Sequence, residues 1–571
     1  MARNFPDLKD FARHRILNDV VGSVNREGQW KVLIVDDQML SVANSVVSPY
    51  EIMERGVALV ERMRPNKDRE RLPEFDAIYL LCPTAHNVSI LIDDFKSSSP
   101  QYQSAHVFFS ASLSQNLLSE LRSSNLVTSR RLKSVKEVPL RFLAFEPNVF
   151  LSPSLPPLST LFPAPNASSS SITSLTGLSS SMEEFATVIS ALNLKPVIRF
   201  RKCALGVNNL AASKLASYLN LRSSPNDNSP SDCTILILDR IMDMEAPLIH
   251  ELSYQALVFD AIPSSVKVPS SLVYRTSGNE ERHVFLDESD EFWKTSRYQH
   301  IAEVCERLRD LAQCLPDSGL GNSQEMSIGD LRKAMTNLPG YQEQVRRVTN
   351  HLEITGKCLE RISADKLHPI MELEQELVTG EDEDGKSIGT MGFKKVSDVL
   401  QGERLSLDIC KRLLLLYFVS QEKSGSVPFK QRQHMINDLA SIPSQEQGCF
   451  NALSSLTMTG FVNQRKARRS LRRRQLIDDS KYALCRFTPR FRAIVDDWLG
   501  NRLDNDQFPF LFPGTAVSRR NSKLIVYIIG GITGSELRVL NELAPDSQVL
   551  IGGTSIINPG EFVSQLDDLG K

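Results

Sequence analysis

Residues 234–238 have the sequence TILIL, a hydrophobic run with almost no polar position. A run of this kind without alternation is typical of a strand covered on both faces, as in a parallel sheet. Asp239 and Arg240 end the run with charge, and Pro247 suits the first turn of a helix because its missing N–H is not needed there. Apolar residues then recur at helical spacing, namely Leu248, Leu252, Ala256 and Phe259. The stretch predicts one strand-and-helix unit in mid-chain.

The N-terminal part of the chain alternates between the strand and helix patterns. Buried strands are predicted at residues 31–37, 75–83, 105–112 and 138–147. Helices are predicted at residues 52–63, 86–95 and 113–124. This alternation predicts a parallel, doubly wound sheet over about residues 28–147.

A second α/β layer surrounds the central strand, with a helix and strand at 182–202 and a helix at 214–224. Nothing nearby completes its sheet, but two strand–turn–helix segments near the C-terminus, at 522–543 and 547–569, have the required pattern. We therefore predict three domains, one discontinuous and one inserted into it. Their bounds are 1–147 (N-terminal α/β), 148–245 with 480–571 (discontinuous α/β), and 246–479 (inserted, mainly helical).

The insertion contains a long helical pattern with one interruption. Pro339 and Gly340 disrupt it, since proline removes a backbone donor and glycine adds freedom. The pattern predicts a helical hairpin at about residues 322–362. Its turn is either structural or a hinge that straightens and exposes an apolar surface to a partner helix. The Ser/Pro-rich stretch 149–182 is either a linker or a regulated, phosphorylated segment.

Composition excludes several classes of function. The 571 residues carry 66 basic and 68 acidic side chains, so net charge gives no argument for a nucleic-acid partner. The basic stretch 465–475 lacks the interleaved aromatic residues of single-strand binders; it is either a solvated loop or a contact for an acidic surface or anionic lipid. Nine scattered cysteines have no zinc spacing, which predicts reduced thiols in a cytosolic protein. The N-terminus is too charged for a signal peptide, and no apolar run is long enough to span a membrane.

The carboxylates at strand ends are the candidate metal-binding or catalytic side chains of the chain. KVLIVDDQ resembles the opening of a phosphorylation receiver, with Asp36 and Asp37 as candidate Mg²⁺ ligands, but Cys82 stands where the acceptor aspartate is required. An α/β enzyme that uses Asp36 or Asp239 is a second alternative, although no histidine, metal cluster or phosphate loop accompanies them in the sequence. Gly530, Gly531 and Gly534 have neither P-loop nor dinucleotide spacing and predict a tight turn. No catalytic residue, cofactor or metal is therefore predicted.

The central segment also carries a family resemblance. LDRIMDMEAPLIHELSYQALVFD, residues 238–260, resembles the LDR-x-x-D-x-x-x-P-x-x-HEL-x-x-Q-A segment of the Sec/Munc (SM) proteins, which bind SNAREs and regulate membrane fusion. The similarity runs from about Trp30 to Leu569 and includes LPEFDAIYLLCPT, AHVFFS, LDESDEFWKTSRYQHIAEV and LPGYQEQVRRVTNHLEITGKCLE. It implies an α/β plus α fold in which three domains form an arch. Two are doubly wound parallel-sheet α/β domains, and one is a mainly helical inserted domain.

The resemblance also assigns partner-binding residues. Asp36 and Glu61 match cavity positions that contact a closed syntaxin, and Ser41 replaces the family's basic cavity residue. Pro339 matches the hinge proline, and Leu352 falls on the helix that templates the vesicle SNARE.

An outer pocket for the syntaxin N-terminal peptide maps to four residues. They are Leu118, Leu132, Val135 and Glu137. Three apolar side chains and one acid suit a short peptide that carries an apolar anchor and a basic residue.

The function that the resemblance implies is non-enzymatic. The protein is expected to clasp syntaxin and assembled SNARE complexes, and to promote vesicle docking and fusion in exocytosis. It is expected to be a cytoplasmic monomer that reaches the plasma membrane through its SNARE partners, with no nucleic-acid partner. The alternative branch of the family acts at Golgi or endosomal membranes.

Overall fold

A computed structural model describes most of the chain. The described residues are 4–24, 30–65, 69–97, 99–152, 171–203, 206–220, 231–262, 271–275, 281–314, 328–389, 391–402, 405–421, 427–460, 483–512, 523–543 and 548–570. They form two compact units. The first comprises Met1–Arg240, Leu503–Gly531 and Ala544–Ser555; the second comprises Ile241–Arg502, Ile532–Leu543 and Ile556–Lys571. The basic stretch 465–475 and residues 153–170 of the Ser/Pro-rich stretch lie outside the described residues.

The first unit opens with a five-stranded parallel sheet in the order β2-β1-β3-β4-β5. Its strands are β1 (Lys31–Val35), β2 (Val57–Arg62), β3 (Leu72–Leu81), β4 (Tyr102–Phe109) and β5 (Leu132–Glu137). This is a doubly wound order, in which the direction of strand addition reverses between β1 and β3. The predicted class of this sheet is confirmed.

Both edges of the first sheet differ from the sequence prediction. β2 lies within a stretch predicted as helix, and β5 was not predicted as a strand. The strand predicted at 138–147 is β6 (Leu143–Glu146), which pairs in the second sheet. An edge strand is covered less than a central one, so β2 and β5 lack the continuous apolar pattern that marked β1, β3 and β4.

Short helices surround this sheet, and most begin at a capping side chain. They are α1 (Leu8–His14), which continues into a π-helical turn (Arg15–Val21), α2 (Asp37–Val46), α3 (Pro49–Glu54), α4 (Ala85–Asp93), α5 (Gln115–Ser123) and α6 (Asn125–Thr128). Ser48 and Glu51 form a capping box at α3, and Thr84 and Ser114 cap α4 and α5.

The second sheet is six-stranded, in the order β6-β7-β13-β12-β9-β8. Its remaining strands are β7 (Val149–Leu151), β8 (Pro196–Phe200), β9 (Cys233–Asp239), β12 (Lys523–Ile529) and β13 (Val549–Gly553). β6 and β7 are antiparallel, and the other pairs are parallel. β12 pairs with β9 from Lys523 opposite Cys233 to Ile529 opposite Asp239. The C-terminal strands therefore complete the sheet that the mid-chain strand begins, as predicted.

Helices α7 (Ser171–Ala191) and α8 (Val207–Tyr218) belong to this sheet's layer. The ring of Phe185 on α7 stacks on Tyr527 with centroids 4.7 Å apart and lies 5.3 Å from Phe150. Gly552 has no space for a side chain, because a Cβ there would lie 2.2 Å from the Phe150 ring. Gly530 and Gly531 both have positive φ, which confirms the predicted tight turn after β12.

The second unit is mainly helical, with a two-stranded antiparallel hairpin of β10 (Ser271–Arg275) and β11 (Glu281–Phe285). Its helices are α9 (Tyr254–Ala261), α10 (Glu291–Ser296), α11 (Ile301–Cys314), α12 (Ile328–Ala364), α13 (Leu367–Thr379), α14 (Met391–Gly402), α15 (Leu407–Gln421), α16 (Phe429–His434), α17 (Gly448–Gly460), α18 (Arg490–Leu499), α19 (Gly534–Leu543) and α20 (Pro559–Gly570). One apolar core joins α9, β10, β11, α10, α11 and α12.

The structure differs from the helical hairpin predicted at about 322–362. Helix α12 continues through Pro339 and Gly340 without a break, and residues 322–327 lie outside the described residues. A proline interrupts only the hydrogen bonding of its own turn, and the helix-favouring residues on either side carry the helix across it. The turn falls instead at Asp365 and Lys366, where Lys366 adopts a left-handed conformation before α13.

Polar residues of the central segment anchor it to distant parts of the chain. In the first unit, Asp239 pairs with Arg201 at 2.8 Å, and Arg240 donates to the Gly531 carbonyl at 3.1 Å. In the second unit, His250 lies 2.9 Å from the Glu374 carboxylate. There too, Glu251 pairs with Arg538 at 3.1 Å. The residues that carry the resemblance therefore have structural partners within each unit.

Within the part of the chain that the structure describes, no helix combines the length and hydrophobicity needed to cross a bilayer. The same residues contain no cluster of His, Cys, Asp or Glu able to hold a metal ion. The boundaries of the three predicted domains stay a prediction.

Candidate partner-binding sites

Asp36 follows β1 at the carboxyl edge of the first sheet, where the strand order reverses. It caps α2, and its carboxylate accepts hydrogen bonds from Met39 N at 2.8 Å, Cys82 N at 2.5 Å and Asn87 Nδ2 at 2.7 Å. These hydrogen bonds explain why an acidic residue can be buried between β1 and α2. The partner contact implied for Asp36 stays a prediction.

Cys82 faces Asp36 from the end of β3. Burial and the neighbouring Asp36 charge raise the pKa of its thiol to about 12, so the thiol stays protonated near neutral pH. A receiver needs a carboxylate at this position, and a buried protonated thiol does not replace it. The arrangement gives no support to phosphoryl transfer here.

Glu61 lies on the edge strand β2 and accepts a hydrogen bond from the Tyr102 hydroxyl at 2.8 Å. Behind Tyr102, the buried Arg69 guanidinium pairs with Asp94 at 2.5 Å, and the Tyr79 hydroxyl donates to the other Asp94 oxygen at 2.7 Å. Burial raises the pKa of Asp94, and the nearby Arg69 opposes that shift. The network holds Glu61 at the sheet edge, half-exposed.

Three of the four residues predicted for the peptide pocket share one face of β5 because of a β-bulge. The pairing of β5 with β4 shifts register after Leu132, so that Leu132, Val135 and Glu137 lie opposite Ala105, Val107 and Phe109. Alternate residues of β4 share one face, and the bulge places the three β5 residues on that face despite their uneven spacing. This face carries the core on which α5 residues Leu117 and Leu121 pack.

Leu118, the fourth residue predicted for the pocket, lies on α5 and is half-buried. Glu137 is exposed and accepts hydrogen bonds from Ser112 Oγ at 2.9 Å and Leu113 N at 3.2 Å, directly before α5. Val135 is 40% exposed. The strand end and the helix start are therefore held together, with an apolar surface beside a solvent-accessible carboxylate.

Helix α12 exposes a stripe of apolar residues at seven-residue spacing. Leu352 and Leu359 are 42% and 43% exposed, and half-buried Val345 precedes them by one heptad. We call Val345, Leu352 and Leu359 the α12 stripe. Thr349, Gly356 and Ser363 follow the stripe residues by four positions and are small; a Cβ at Gly356 would have no neighbour within 4 Å. A heptad seam of this kind suits packing of a second helix.

Buried side chains hold the opposite face of α12. His351 Nδ1 lies 2.9 Å from the Tyr254 hydroxyl, and His351 Nε2 lies 3.1 Å from an Asp290 oxygen. Burial alone would raise the pKa of Asp290, but His351 and the Trp293 N–H bring it below its ordinary value. This anchoring fixes the rotation of the helix and keeps the stripe outward.

The sequence prediction included Leu352 but missed Leu359 and Val345. The seven-residue spacing was a usable signal, because it persists along the helix. Pro339 lies in the first half of α12, where the structure describes the backbone alone. The eight predicted residues are therefore distributed over the first sheet, its helices and α12, and Leu132, Val135 and Glu137 share one face of β5.

Comparison with known proteins covers the whole chain. Residues 31–565 match the model of the Sec1 family. The chain is 29% identical to the protein transport protein sec1 of Dictyostelium discoideum, over 98% of both sequences. It is 26% identical to the SNARE-interacting protein KEULE of Arabidopsis thaliana, over 98% of this chain and 96% of KEULE.

A solved structure shares the fold over the same length. The chain is similar to Unc18 in the Unc18–syntaxin 1 complex of Monosiga brevicollis, with a TM-score of 0.80, 25% identity and coverage of 99% of this chain and 100% of that one. The family match spans both sheets and the helical unit. Sequence and fold therefore agree that this chain belongs to the Sec1 family.

Proposed function

We propose that this protein binds a syntaxin-type SNARE and assembled SNARE complexes, and promotes vesicle docking and fusion in exocytosis. The observation that carries the proposal is the end-to-end similarity to Unc18, a protein solved in complex with syntaxin 1. KEULE, which is named as SNARE-interacting, matches over a similar length. In both comparisons the similarity covers nearly the whole chain, rather than one domain.

The pocket on the first sheet is the proposed site for the N-terminal peptide of syntaxin. Leu118, Leu132 and Val135 supply apolar surface, and Glu137 keeps a carboxylate at its border. A peptide with one apolar anchor and one basic residue matches this combination, since the anchor loses water and the charge pairs at the rim.

The cavity residues are proposed to contribute less to syntaxin affinity than the peptide pocket does. Asp36 uses its carboxylate within the domain, and Glu61 is the half-exposed acid of the pair. Ser41 lies exposed on α2, where its hydroxyl donates to the Asp37 carbonyl at 3.0 Å, and it offers no positive charge. We infer that the peptide pocket provides much of the affinity for syntaxin.

The α12 stripe is the proposed contact for a vesicle SNARE. SNARE helices zip through heptad-spaced apolar residues, and the stripe has the same spacing. The nearby Thr349, Gly356 and Ser363 leave room for the side chains of a second helix. Holding one helix in register would lower the nucleation cost of the bundle without any catalytic chemistry.

The site of action proposed is the plasma membrane, which the protein reaches through its SNARE partners. The relatives named sec1 and KEULE favour the exocytic branch. A role at Golgi or endosomal membranes is the alternative within the same family.

Calorimetric titration of the full chain with syntaxin cytosolic domains tests the proposal. We expect binding to a plasma-membrane syntaxin with a Kd below about 1 μM, and a weaker affinity after its N-terminal peptide is removed. Tighter binding to an endosomal or Golgi syntaxin would move the protein to that branch. The absence of binding to any syntaxin, alone or within a SNARE complex, would overturn the proposal.

A further inference from the structure

The two sheets of the first unit are joined by a short connection. β5 ends at Glu137 and β6 begins at Leu143, and the residues between them cross from one sheet to the other. The connection follows the end of β4: Val138 N donates to the Phe109 carbonyl at 2.8 Å, and Leu140 N donates to the Ser110 carbonyl at 3.1 Å. Arg141 lies next along this connection, directly at the junction.

Arg141 reaches across the junction to helix α7. Its Nη1 lies 2.9 Å from the Glu183 carboxylate, and its Nε lies 3.7 Å from Glu184 Oε1. Gln38, in the first turn of α2, donates to Glu184 Oε1 at 2.7 Å and accepts from Arg141 Nε at 3.3 Å. We call these four residues, Gln38, Arg141, Glu183 and Glu184, the latch.

The latch joins parts that are each fixed to a different sheet. On the α7 side, Phe185 follows Glu184 and stacks on Tyr527 of β12. On the other side, the Cys82 thiol at the end of β3 donates to Gln38 Oε1 at 3.2 Å. A second, longer contact between the same parts runs from Arg15 Nη2 to the Ala191 carbonyl at 3.4 Å. Unlike that contact, the latch contains a buried carboxylate.

Because the latch is buried, its stability depends on the distances between its charged groups. Glu184 is buried and Arg141 is largely covered. A buried charge pair is stable only when its partners keep good distances, because each ion has lost its water. Small rotations of one sheet against the other would therefore be opposed by the latch more strongly than by apolar contacts, which tolerate sliding.

We propose that Arg141 is a positioning residue for partner binding, acting through the latch to set the angle between the first sheet and the second. This inference rests on the proposed function. A full-length syntaxin would contact Glu61 on the first sheet and surfaces outside that sheet, so its affinity should depend on the angle between the two sheets. The syntaxin N-terminal peptide would contact the pocket on the first sheet alone, so its affinity should not depend on that angle.

The experiment compares the two ligands on the same variants. Arg141→Gln combined with Glu184→Gln removes the two buried charges of the latch, and Glu183, whose side chain is 31% exposed, keeps its charge in contact with solvent. Arg13→Gln is the matched control, since it removes an arginine–glutamate pair, Arg13 with Glu51, that stays within the N-terminal domain. We expect the latch variant to bind full-length syntaxin on the order of tenfold more weakly, the size of a typical coupling between sites. It should bind the isolated peptide as the wild type does, and the control should bind both normally.

Equal affinity of the latch variant and the wild type for full-length syntaxin would overturn the proposal, as would a parallel loss of peptide binding. If the wild type binds neither ligand, the proposed function fails. A distance measurement then tests whether the latch holds the two sheets at a fixed separation. Spin labels carried by noncanonical amino acids at Ser119 on α5 and Ser213 on α8 report the separation of the two sheets. The latch variant should broaden that distance distribution, and an unchanged distribution would contradict the latch. Arg141→Lys, which keeps the charge but not the planar guanidinium, replaces the double variant if that protein does not fold.

Discussion

His351 and Asp290 form a buried pair in which imidazole Nε2 lies 3.1 Å from a carboxylate oxygen. Because an ionised carboxylate only accepts hydrogen bonds, Nε2 carries a proton. On the other side of the ring, Nδ1 lies 2.9 Å from the Tyr254 hydroxyl. The imidazole thus joins side chains from three elements, and the neighbouring Leu352 faces outward.

Replacing His351 by alanine should destabilise the protein by about 2 kcal/mol, because the buried Tyr254 hydroxyl and the Asp290 carboxylate lose a partner. Urea unfolding followed by circular dichroism measures the change. His368→Ala is the control, since His368 is an exposed histidine paired only with Glu372 one turn away. Equal stability of the two variants would show that the pair does not anchor α12.

Asp290 should contribute to a loss of stability in acid. Its folded pKa lies below the ordinary value of 3.8, so the stabilisation is fully present above about pH 4 and is lost as pH falls through the folded pKa. Asp290→Asn keeps an N-cap for α10 but removes the titration, so its melting temperature should fall less steeply below pH 4. Thermal unfolding of both proteins between pH 3 and pH 6 measures this, and parallel curves would contradict the assignment.

Asp36→Ala should destabilise the first unit by about 3 kcal/mol. The change removes a helix cap, leaves the buried Cys82 N–H without its acceptor, and removes one of two hydrogen bonds that the Asn87 amide donates. Asp37→Ala is the neighbouring control, because Asp37 is exposed and pairs with the exposed Arg62, and its loss should alter stability by about 0.5 kcal/mol or less. Chemical denaturation distinguishes the two, and a neutral Asp36→Ala would return this residue to a pure binding role.

Val135→Arg should weaken binding of the syntaxin N-terminal peptide by about tenfold, since it places a charge and extra bulk in the apolar part of the pocket. Fluorescence anisotropy with a labelled peptide measures the affinity. Val127→Arg is a matched control on α6, where the valine is 38% exposed. A similar loss in both variants would indicate a general charge effect and remove the pocket assignment.

Leu359→Asp should reduce stimulation of SNARE-dependent liposome fusion on the order of tenfold, and Leu352→Asp should act similarly, because both place a carboxylate in the α12 stripe. Syntaxin binding should change less. Leu499→Asp on α18 is the control, as Leu499 is 46% exposed in the same unit but belongs to no heptad. Full stimulation by the Leu359 variant would show that α12 does not contact the vesicle SNARE.

The sequence predicted the central strands of both sheets because burial on two faces leaves a continuous apolar pattern. β1, β3, β4, β9, β12 and β13 all show it. The edge strands β2 and β5 do not, since exposure on their outer faces permits polar residues there. The predicted peptide pocket depends on a bulge in β5. The bulge puts Leu132, Val135 and Glu137 on the same face of the sheet, and this can be seen only from the pairing of β5 with β4.

The local rule for helix breaks also failed in α12, where helix-favouring residues flank the predicted break. Pro339 and Gly340 predict a break, but α12 continues past them, and the left-handed turn forms at Lys366, a residue with no glycine or proline signal. Conversely, the Gly530-Gly531 turn was predictable because positive φ at two successive residues requires that residue type. The latch could not be predicted, because Gln38, Arg141 and Glu184 are far apart in sequence and only the fold brings them together.

Glu184 reaches the switch-point crevice of the first sheet as part of the same polypeptide. Folds with this strand order commonly hold a small molecule there. A tethered carboxylate is present at an effective concentration on the order of millimolar, whatever the composition of the surrounding solution. A free anion that recognised Arg141 would have to compete with that internal ligand. The Arg141 guanidinium is therefore paired by carboxylates of its own chain rather than by an anion from solution.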